Sequence, residues 1–201
     1  MAGTMPHAVF VETDVGPDGA AVAYAAELPG CAVVAATPDE AVAGIPRRAG
    51  QFAAWLRSMG EPAPTFIGDN WYEVERAAAR PAHRAAFSLD ELPPSGAEME
   101  AWLRWLELAR EELAAAVDAV GDPPPTAVSA IAEQDRTFVT ELGASPPPPV
   151  DDSLDALYQA REALTGALDA AGPGASGVRR ILRVAIADDL RLADDLRAAG
   201  G

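Results

Sequence analysis

Residues 178–196, VRRILRVAIADDLRLADDL, have a hydrophobic periodicity from which the fold of the second half of this chain is predicted. At about 100° per residue, the apolar side chains of this stretch share one face of an α-helix: Val178, Ile181, Leu182, Ala185, Ile186, Leu192 and Leu196. Asp189 falls inside that face, where an unpaired charge is costly. The stretch therefore predicts an amphipathic helix that brings a charge into a shared core.

Three similar helical stretches precede it. Their predicted ranges are about 95–120, 126–143 and 151–171, and the last helix begins at Ser176. Ser95 and Glu98 form a capping box at the start of the first, whereas Asp151 or Asp152 caps the third. Four amphipathic helices with short connections predict an all-α four-helix bundle over residues 95–201.

Each of the four apolar faces contains one charge near the middle of its helix: Arg110, Asp135, Arg161 and Asp189. Midpoints of bundled helices lie at similar depth, so we expect these groups to form one buried network, in which each planar guanidinium serves two carboxylates. Two roles stay open: a structural network that fixes helix register, or the polar floor of a ligand site. Acid–base catalysis is disfavoured, because we expect the arginines to keep the aspartate pKa low.

Aromatic side chains suggest a second candidate region. Trp102 and Tyr158 are predicted on the inward faces of the first and third helices. Trp71, Tyr72, Trp102 and Trp105 are expected either to form core between the two halves or to line a pocket there, since domain interfaces favour pockets. Trp71, Trp102 and Tyr158 therefore join the charged quartet as candidate ligand-binding residues.

The first 94 residues have a different pattern, which makes the chain α+β. Predicted strands cover 7–13, 20–26 and 31–36, and a helix follows from Thr37 to about Ser58. Pro46 is expected to kink this helix or to split off its first turn. Residues 71–75 and 83–89 are two further candidate strands. Pro93-Pro94 marks the predicted boundary between domains 1–94 and 95–201.

Two segments of the first domain carry a family resemblance: Glu27-Leu28-Pro29-Gly30-Cys31 and Thr37-Pro38-Asp39-Glu40-Ala41. A hairpin, this strand start and this helix start resemble the HicB-like domain, a small β-β-β-α relative of the ribonuclease H fold. The resemblance implies a non-catalytic module that often neutralises a toxin. It also implies that Cys31 is a buried small residue.

The second domain resembles the DinB-like bundle. The resemblance rests on residues 130–139, residues 180–189 and a Trp-Leu-x-x-Ala-Arg-x-x-Leu pattern over 105–113. That family commonly binds a divalent metal through three histidines, and some members are thiol-dependent transferases or isomerases. The corresponding positions here hold Ala130, Asp188 and Leu192, and Asp188 is expected to be solvated. We therefore expect no metal and no other cofactor.

Charge and composition limit the classes of binding partner that we expect for this protein. The net charge of -16 disfavours nucleic acid as a partner. No long apolar run or N-terminal signal pattern is found, so we expect a cytoplasmic protein that does not cross a membrane. The single cysteine excludes an internal disulfide. A basic protein remains a candidate partner, as does a second copy of the chain paired through the edge of the predicted hairpin.

Three functions follow from these patterns. The first is metal-independent binding or catalysis on a small organic molecule, in the bundle interior or the cleft between domains. The alternative is an acidic protein-interaction module, antitoxin-like through the HicB-like domain. A metal enzyme of the DinB-like family is the third, and stoichiometric bound zinc or nickel would establish it. The sequence does not decide whether the protein is an enzyme, and no catalytic residue is assigned.

Overall fold

A computed structural model describes residues 7–64, 70–79, 84–121, 125–149 and 153–200. The chain divides into two compact units, Met1–Leu92 and Pro93–Gly201. The first unit contains the sheet and one α-helix, and the second contains four α-helices. The α+β class predicted from the sequence is confirmed, with five α-helices among the described residues.

The sheet of the first unit has four strands in its described part: β1 (His7–Val15), β2 (Ala20–Ala25), β3 (Ala32–Ala35) and β4 (Trp71–Ala78). Their order across the sheet is β3-β2-β1-β4. The first three strands form an antiparallel meander, whereas β4 runs parallel to β1. The sheet is therefore mixed, and β1 is an inner strand.

Helix α1 (Pro38–Ser58) packs on this sheet. Thr37 Oγ1 accepts a hydrogen bond from the Glu40 backbone N–H at 3.3 Å, and Pro38 occupies the first helical turn, as the sequence predicts. The helix continues through Pro46, so the expected split of its first turn is wrong. Gly44 allows close approach to the sheet, since a Cβ there would lie 2.8 Å from Val33 Cγ1.

Residues 84–92 pack against other buried side chains of β1 and β2. The Phe87 ring stacks on Phe10 with centroids 4.7 Å apart. Glu12 is fully buried, and its carboxylate accepts hydrogen bonds from Arg84 Nε at 3.0 Å, Tyr24 Oη at 3.1 Å and the Ala85 N–H at 2.6 Å. This buried carboxylate has a partner for each oxygen, as a stable buried charge requires.

Three predictions for the first unit need correction. The candidate strand over 71–75 is confirmed as β4, and the β-β-β-α pattern is incomplete because this strand joins the same sheet. The candidate strand over 83–89 is wrong: residues 84–87 form no strand and Ser88–Glu91 is a short 3₁₀ helix, while His83 lies outside the described residues. The predicted hairpin consists of β1 and β2, which are the two inner strands of the described sheet, where β3 and β4 form the edges.

The second unit consists of α2 (Gly96–Val120), α3 (Pro125–Glu141), α4 (Ser153–Ala171) and α5 (Val178–Gly200). The capping box predicted at the start of α2 is present: Ser95 and Glu98 each accept a hydrogen bond from the other's backbone N–H. Helix α5 begins two residues later than predicted, at Val178. The caps expected at Asp151 or Asp152 lie outside the described residues.

Contacts within the second unit are concentrated in two pairs of helices. Helix α2 packs along α5, and α3 packs along α4; smaller contacts join α2 to α4 and α3 to α5. The order around the unit is therefore α2, α5, α3, α4. Buried apolar side chains from all four helices form one core cluster, which includes Leu113, Val128, Leu157 and Leu196. No helix in the described ranges is long and apolar enough to cross a membrane.

Candidate functional site

The four charges predicted to meet in the second unit do so. Arg110 on α2 holds Asp189 on α5 with two hydrogen bonds, from Nε to Oδ2 and from Nη2 to Oδ1, each of 3.0 Å. The same Nη2 donates to Asp135 Oδ2 on α3 at 2.9 Å. Arg110 Nη1 reaches the backbone carbonyl of Leu157 on α4 at 2.8 Å. One guanidinium thus connects all four helices.

Arg161 on α4 repeats this arrangement. It holds Asp135 with two hydrogen bonds, from Nε to Oδ2 at 3.0 Å and from Nη2 to Oδ1 at 3.3 Å. Its Nη2 also donates to Asp189 Oδ2 at 2.8 Å, and its Nη1 lies 3.4 Å from the carbonyl oxygen of Leu106 on α2. Exchanging α2 with α4 and α3 with α5 therefore maps each contact onto another, so the network has approximate two-fold symmetry.

The sequence contains a trace of this symmetry that the helical-face analysis missed. The pattern Leu-x-x-Ala-Arg-Glu-x-Leu occurs over residues 106–113 and again over residues 157–164. Comparing the chain with itself would have found it, and would have paired Arg110 with Arg161 and Glu111 with Glu162. It would also have placed Glu107 opposite Tyr158.

All four side chains of the network are at least nine-tenths buried. Complete burial raises the pKa of Asp189, and the two arginines oppose this shift without cancelling it. The expectation that the arginines keep this pKa low is therefore wrong, because desolvation exceeds their attraction. Burial also lowers the pKa of Arg161, whereas at Arg110 the attraction of Asp189 and Asp135 outweighs burial and raises the pKa.

An open cleft of about 490 Å³ lies between α2 and α4, directly over the two arginines. Residues lining it come from both helices: Glu107, Arg110, Glu111, Tyr158, Arg161, Glu162, Thr165 and Gly166. Its floor is formed by the buried guanidinium groups, and its rim by exposed side chains. The volume lies within the range of pockets that hold small organic ligands.

A second, smaller cavity of about 100 Å³ lies between α3, α4 and the proline run, where Pro147–Pro149 pass beside Arg136 and Gln159. Its volume is below the range typical of organic-ligand sites. The cleft over the arginines is therefore the better candidate of the two.

The three aromatic candidate residues lie in different environments. Tyr158 is 51 % exposed, so its prediction on the inward face is wrong, but its side chain lines the cleft. Trp102 is buried, and the Arg179 guanidinium packs 4.9 Å from its ring centroid, which is typical of structural cation–π contacts. Trp71 lies on β4 of the first unit, with its ring centroid 4.5 Å from that of His7. The structure thus brings Tyr158 together with Arg110 and Arg161.

One of the three positions compared with metal-binding histidines is in a different environment from the one predicted. Asp188 is buried, with Arg191 Nε at 3.7 Å, so the expectation of a solvated side chain is wrong. Ala130 is exposed and Leu192 belongs to the apolar core. Within the described ranges, no three His, Cys, Asp or Glu side chains are grouped as ligands of a metal ion.

Cys31 in the first unit is fully buried, as predicted. Burial raises the pKa of its thiol to about 12, and the nearby Arg48 opposes this shift only in part. A thiol with such a pKa is protonated near neutral pH and is a poor nucleophile. Cys31 therefore belongs to the packed interior and not to a reactive site.

Comparisons with known proteins found no match: no family model, no curated protein and no solved structure matches the chain.

Proposed function

We propose that this protein binds a small organic molecule, without a metal, in the cleft between α2 and α4. The observation that carries the proposal is the position of Arg110 and Arg161 at the floor of an open space of about 490 Å³. Buried charges are retained in a core at a cost in desolvation. A cleft that opens onto them gives such polar groups a use beyond packing, since ligand sites combine a concave shape with a few fixed polar groups.

The network also keeps the cleft in shape before any ligand arrives. The cross-helix bonds of Arg110 to Leu157 O and of Arg161 to Leu106 O join the two helices that form its walls. Because these walls are already held in place, less conformational entropy is lost when a ligand binds. The lining contains the two arginines but neither aspartate of the network, which favours binding over proton transfer from Asp135 or Asp189.

We propose in addition that the second unit is a DinB-like four-helix bundle and that the first is HicB-like. The helix order α2, α5, α3, α4 and the meander followed by α1 support these assignments. The antitoxin-like alternative is supported by the net charge of -16 and by the HicB-like resemblance. A pull-down from the native cell that retains a small basic ribonuclease would favour that alternative.

Filling the cleft tests the proposed function. Gly166 lines the cleft, and a Cβ at this position meets no atom within 4 Å. Gly166→Trp should therefore place an indole in the cleft without disturbing the fold. Gly50→Trp is the matched control, because Gly50 is also an exposed helical glycine with open space around it, but lies on α1.

The experiment is a screen of soluble amines, acids and amides by ligand-observed NMR on the full chain. We expect ligands that bind the wild type and Gly50→Trp but not Gly166→Trp. Circular dichroism and thermal unfolding establish that both variants are folded. Ligands that bind all three proteins equally, or a screen without ligands, would reject the cleft as a binding site.

A further inference from the structure

We propose that the cleft is selective for a protonated organic amine that also carries an uncharged oxygen acceptor, such as an amide carbonyl. This inference rests on the proposed function and names the chemical class of its ligand. Two independent observations support it: the charge around the rim of the cleft and the unused hydrogen-bond donors at its floor.

The rim carries a local excess of negative charge. Glu107, Glu111 and Glu162 are exposed, and none of them forms an ion pair with another described residue. Beneath them, the two arginines and two aspartates of the network cancel in charge. The cleft therefore presents three carboxylates without compensating cations, which attract a cationic group and repel an anionic one.

The floor offers hydrogen-bond donors. A guanidinium has five N–H groups. In Arg110 the described acceptors engage Nε–H, both N–H groups of Nη2 and one of Nη1. Arg161 is engaged at the same three nitrogens. Each Nη1 therefore keeps one N–H without an acceptor among the described residues.

The nitrogens that carry these two N–H groups lie between the two helices that wall the cleft. Arg110 and Arg161 are 2 % and 4 % exposed, yet both line the cleft. Each Nη1 lies at the junction of α2 and α4, because it donates its other hydrogen to a carbonyl of the opposite helix. A buried donor without a partner is unfavourable, so an acceptor oxygen that reaches it gains affinity.

The acceptor should be uncharged. A carboxylate would satisfy the same N–H groups, but its charge would be repelled by Glu107, Glu111 and Glu162, which stand around it. An amide carbonyl supplies the hydrogen bonds without that repulsion. Tyr158, which is half-exposed at the rim, adds an aromatic surface for an apolar or cationic part of the ligand.

Three related probes separate these features: phenylalaninamide, phenylalanine and N-acetylphenylalanine. They share one side chain, but at about pH 6 they are a cation, a zwitterion and an anion, respectively. Binding to the full chain is measured by isothermal titration calorimetry. We expect phenylalaninamide to bind most tightly and N-acetylphenylalanine at least about tenfold more weakly, since a tenfold change corresponds to about 1.4 kcal/mol.

A pair of double variants tests whether the rim causes this order. Glu111→Gln with Glu162→Gln removes one rim charge from each helix. Asp118→Asn with Asp169→Asn removes the same number of charges from the same helices, at exposed positions outside the cleft lining. We expect the first pair to weaken phenylalaninamide binding about tenfold and the second to leave it within about twofold.

Each outcome decides the inference. Equal or reversed order of the probes, unchanged binding in Glu111→Gln with Glu162→Gln, or no binding of any probe overturns the amine selectivity. If N-acetylphenylalanine binds tightly and Gly166→Trp abolishes that binding, the cleft function stands and only its ligand class is wrong. If phenylalaninamide binds Gly166→Trp as it binds the wild type, both proposals fail.

Discussion

Arg110 and Arg161 exchange contacts through the backbone of each other's helix: Arg110 donates to Leu157 O, and Arg161 donates to Leu106 O. Leu157 lies four residues before Arg161, and Leu106 lies four residues before Arg110. Each carbonyl therefore also accepts the intrahelical hydrogen bond from the backbone N–H of the arginine on its own helix. The two helices are joined where their charged side chains enter the core. This exchange explains why a cleft can open above the network without separating α2 from α4.

Removal of one aspartate charge should destabilise the second unit strongly. Asp189→Asn leaves Arg110 and Arg161 with one carboxylate between them, and breaking a buried ion pair costs about 3–5 kcal/mol. Urea unfolding measures the loss. Asp195→Asn on the same helix is the control, because its exposed contact with Arg191 is worth less than about 1 kcal/mol. By the two-fold symmetry, Asp135→Asn should match Asp189→Asn, and a much smaller cost would contradict a shared network.

Replacing all four charges separates stability from function. In a variant with Arg110→Met, Asp135→Leu, Arg161→Met and Asp189→Leu, no charge is left uncompensated, so the stability should equal or exceed that of the wild type by up to about 4 kcal/mol. The same variant should lose ligand binding in the cleft. If it unfolds, the network is needed for the fold, and a binding role would then be tested with Gly166→Trp alone.

The capping box of α2 should make stability depend on pH in the acid range. Partial burial would raise the pKa of Glu98, but its hydrogen bonds with Ser95 and its contact with Arg179 outweigh that effect and lower the pKa below 4.5. A lowered folded-state pKa stabilises the protein above the ordinary value, and this contribution is lost as pH falls through the folded value. The wild type should therefore exceed Glu98→Gln in stability at neutral pH, with the difference shrinking below about pH 4.5. Denaturant unfolding at several pH values measures it; a constant difference would contradict the assignment.

The effect of Gly44→Ala on the free energy of unfolding should change sign when Val33 is replaced by alanine. In the wild type, Gly44→Ala gains about 1 kcal/mol of helix propensity but places a methyl against the stiff Val33 side chain, and overpacking costs about 1–3 kcal/mol. We expect net destabilisation. In a Val33→Ala background the contact is relieved, and Gly44→Ala should stabilise by about 1 kcal/mol. Thermal unfolding of the four proteins completes the cycle, and additive effects would show that the two residues do not contact each other.

Local patterns predicted much of the second unit. The helical faces placed Arg110, Asp135, Arg161 and Asp189 together, because charges at similar depth on apolar faces have no other partners. The capping box at Ser95 depended only on residues three apart in the chain. Such features follow from the geometry of one helix and the cost of an unpaired buried charge.

Other features depend on segments that are distant in the chain. Tyr158 falls within the apolar arc of α4, yet it is exposed at the cleft between α2 and α4. Asp188 lies at the edge of an apolar arc, yet α5 is buried on all sides over residues 181–190. A helical wheel gives the direction of a side chain and not the distance to the next helix. It therefore predicted neither the exposure of Tyr158 nor the burial of Asp188.

Residue spacing was sufficient to predict the α+β class, the helices of the second unit, and the presence of two arginines and two aspartates in one core. Periodicity, capping and charge pairing are local or act through a single shared core, and they can be read from residue spacing. Three features depend on tertiary packing: the pairing of β4 with β1, the helix order α2, α5, α3, α4, and the cleft over Arg110 and Arg161. These relationships arise from how whole elements fill space against one another, which no single segment encodes.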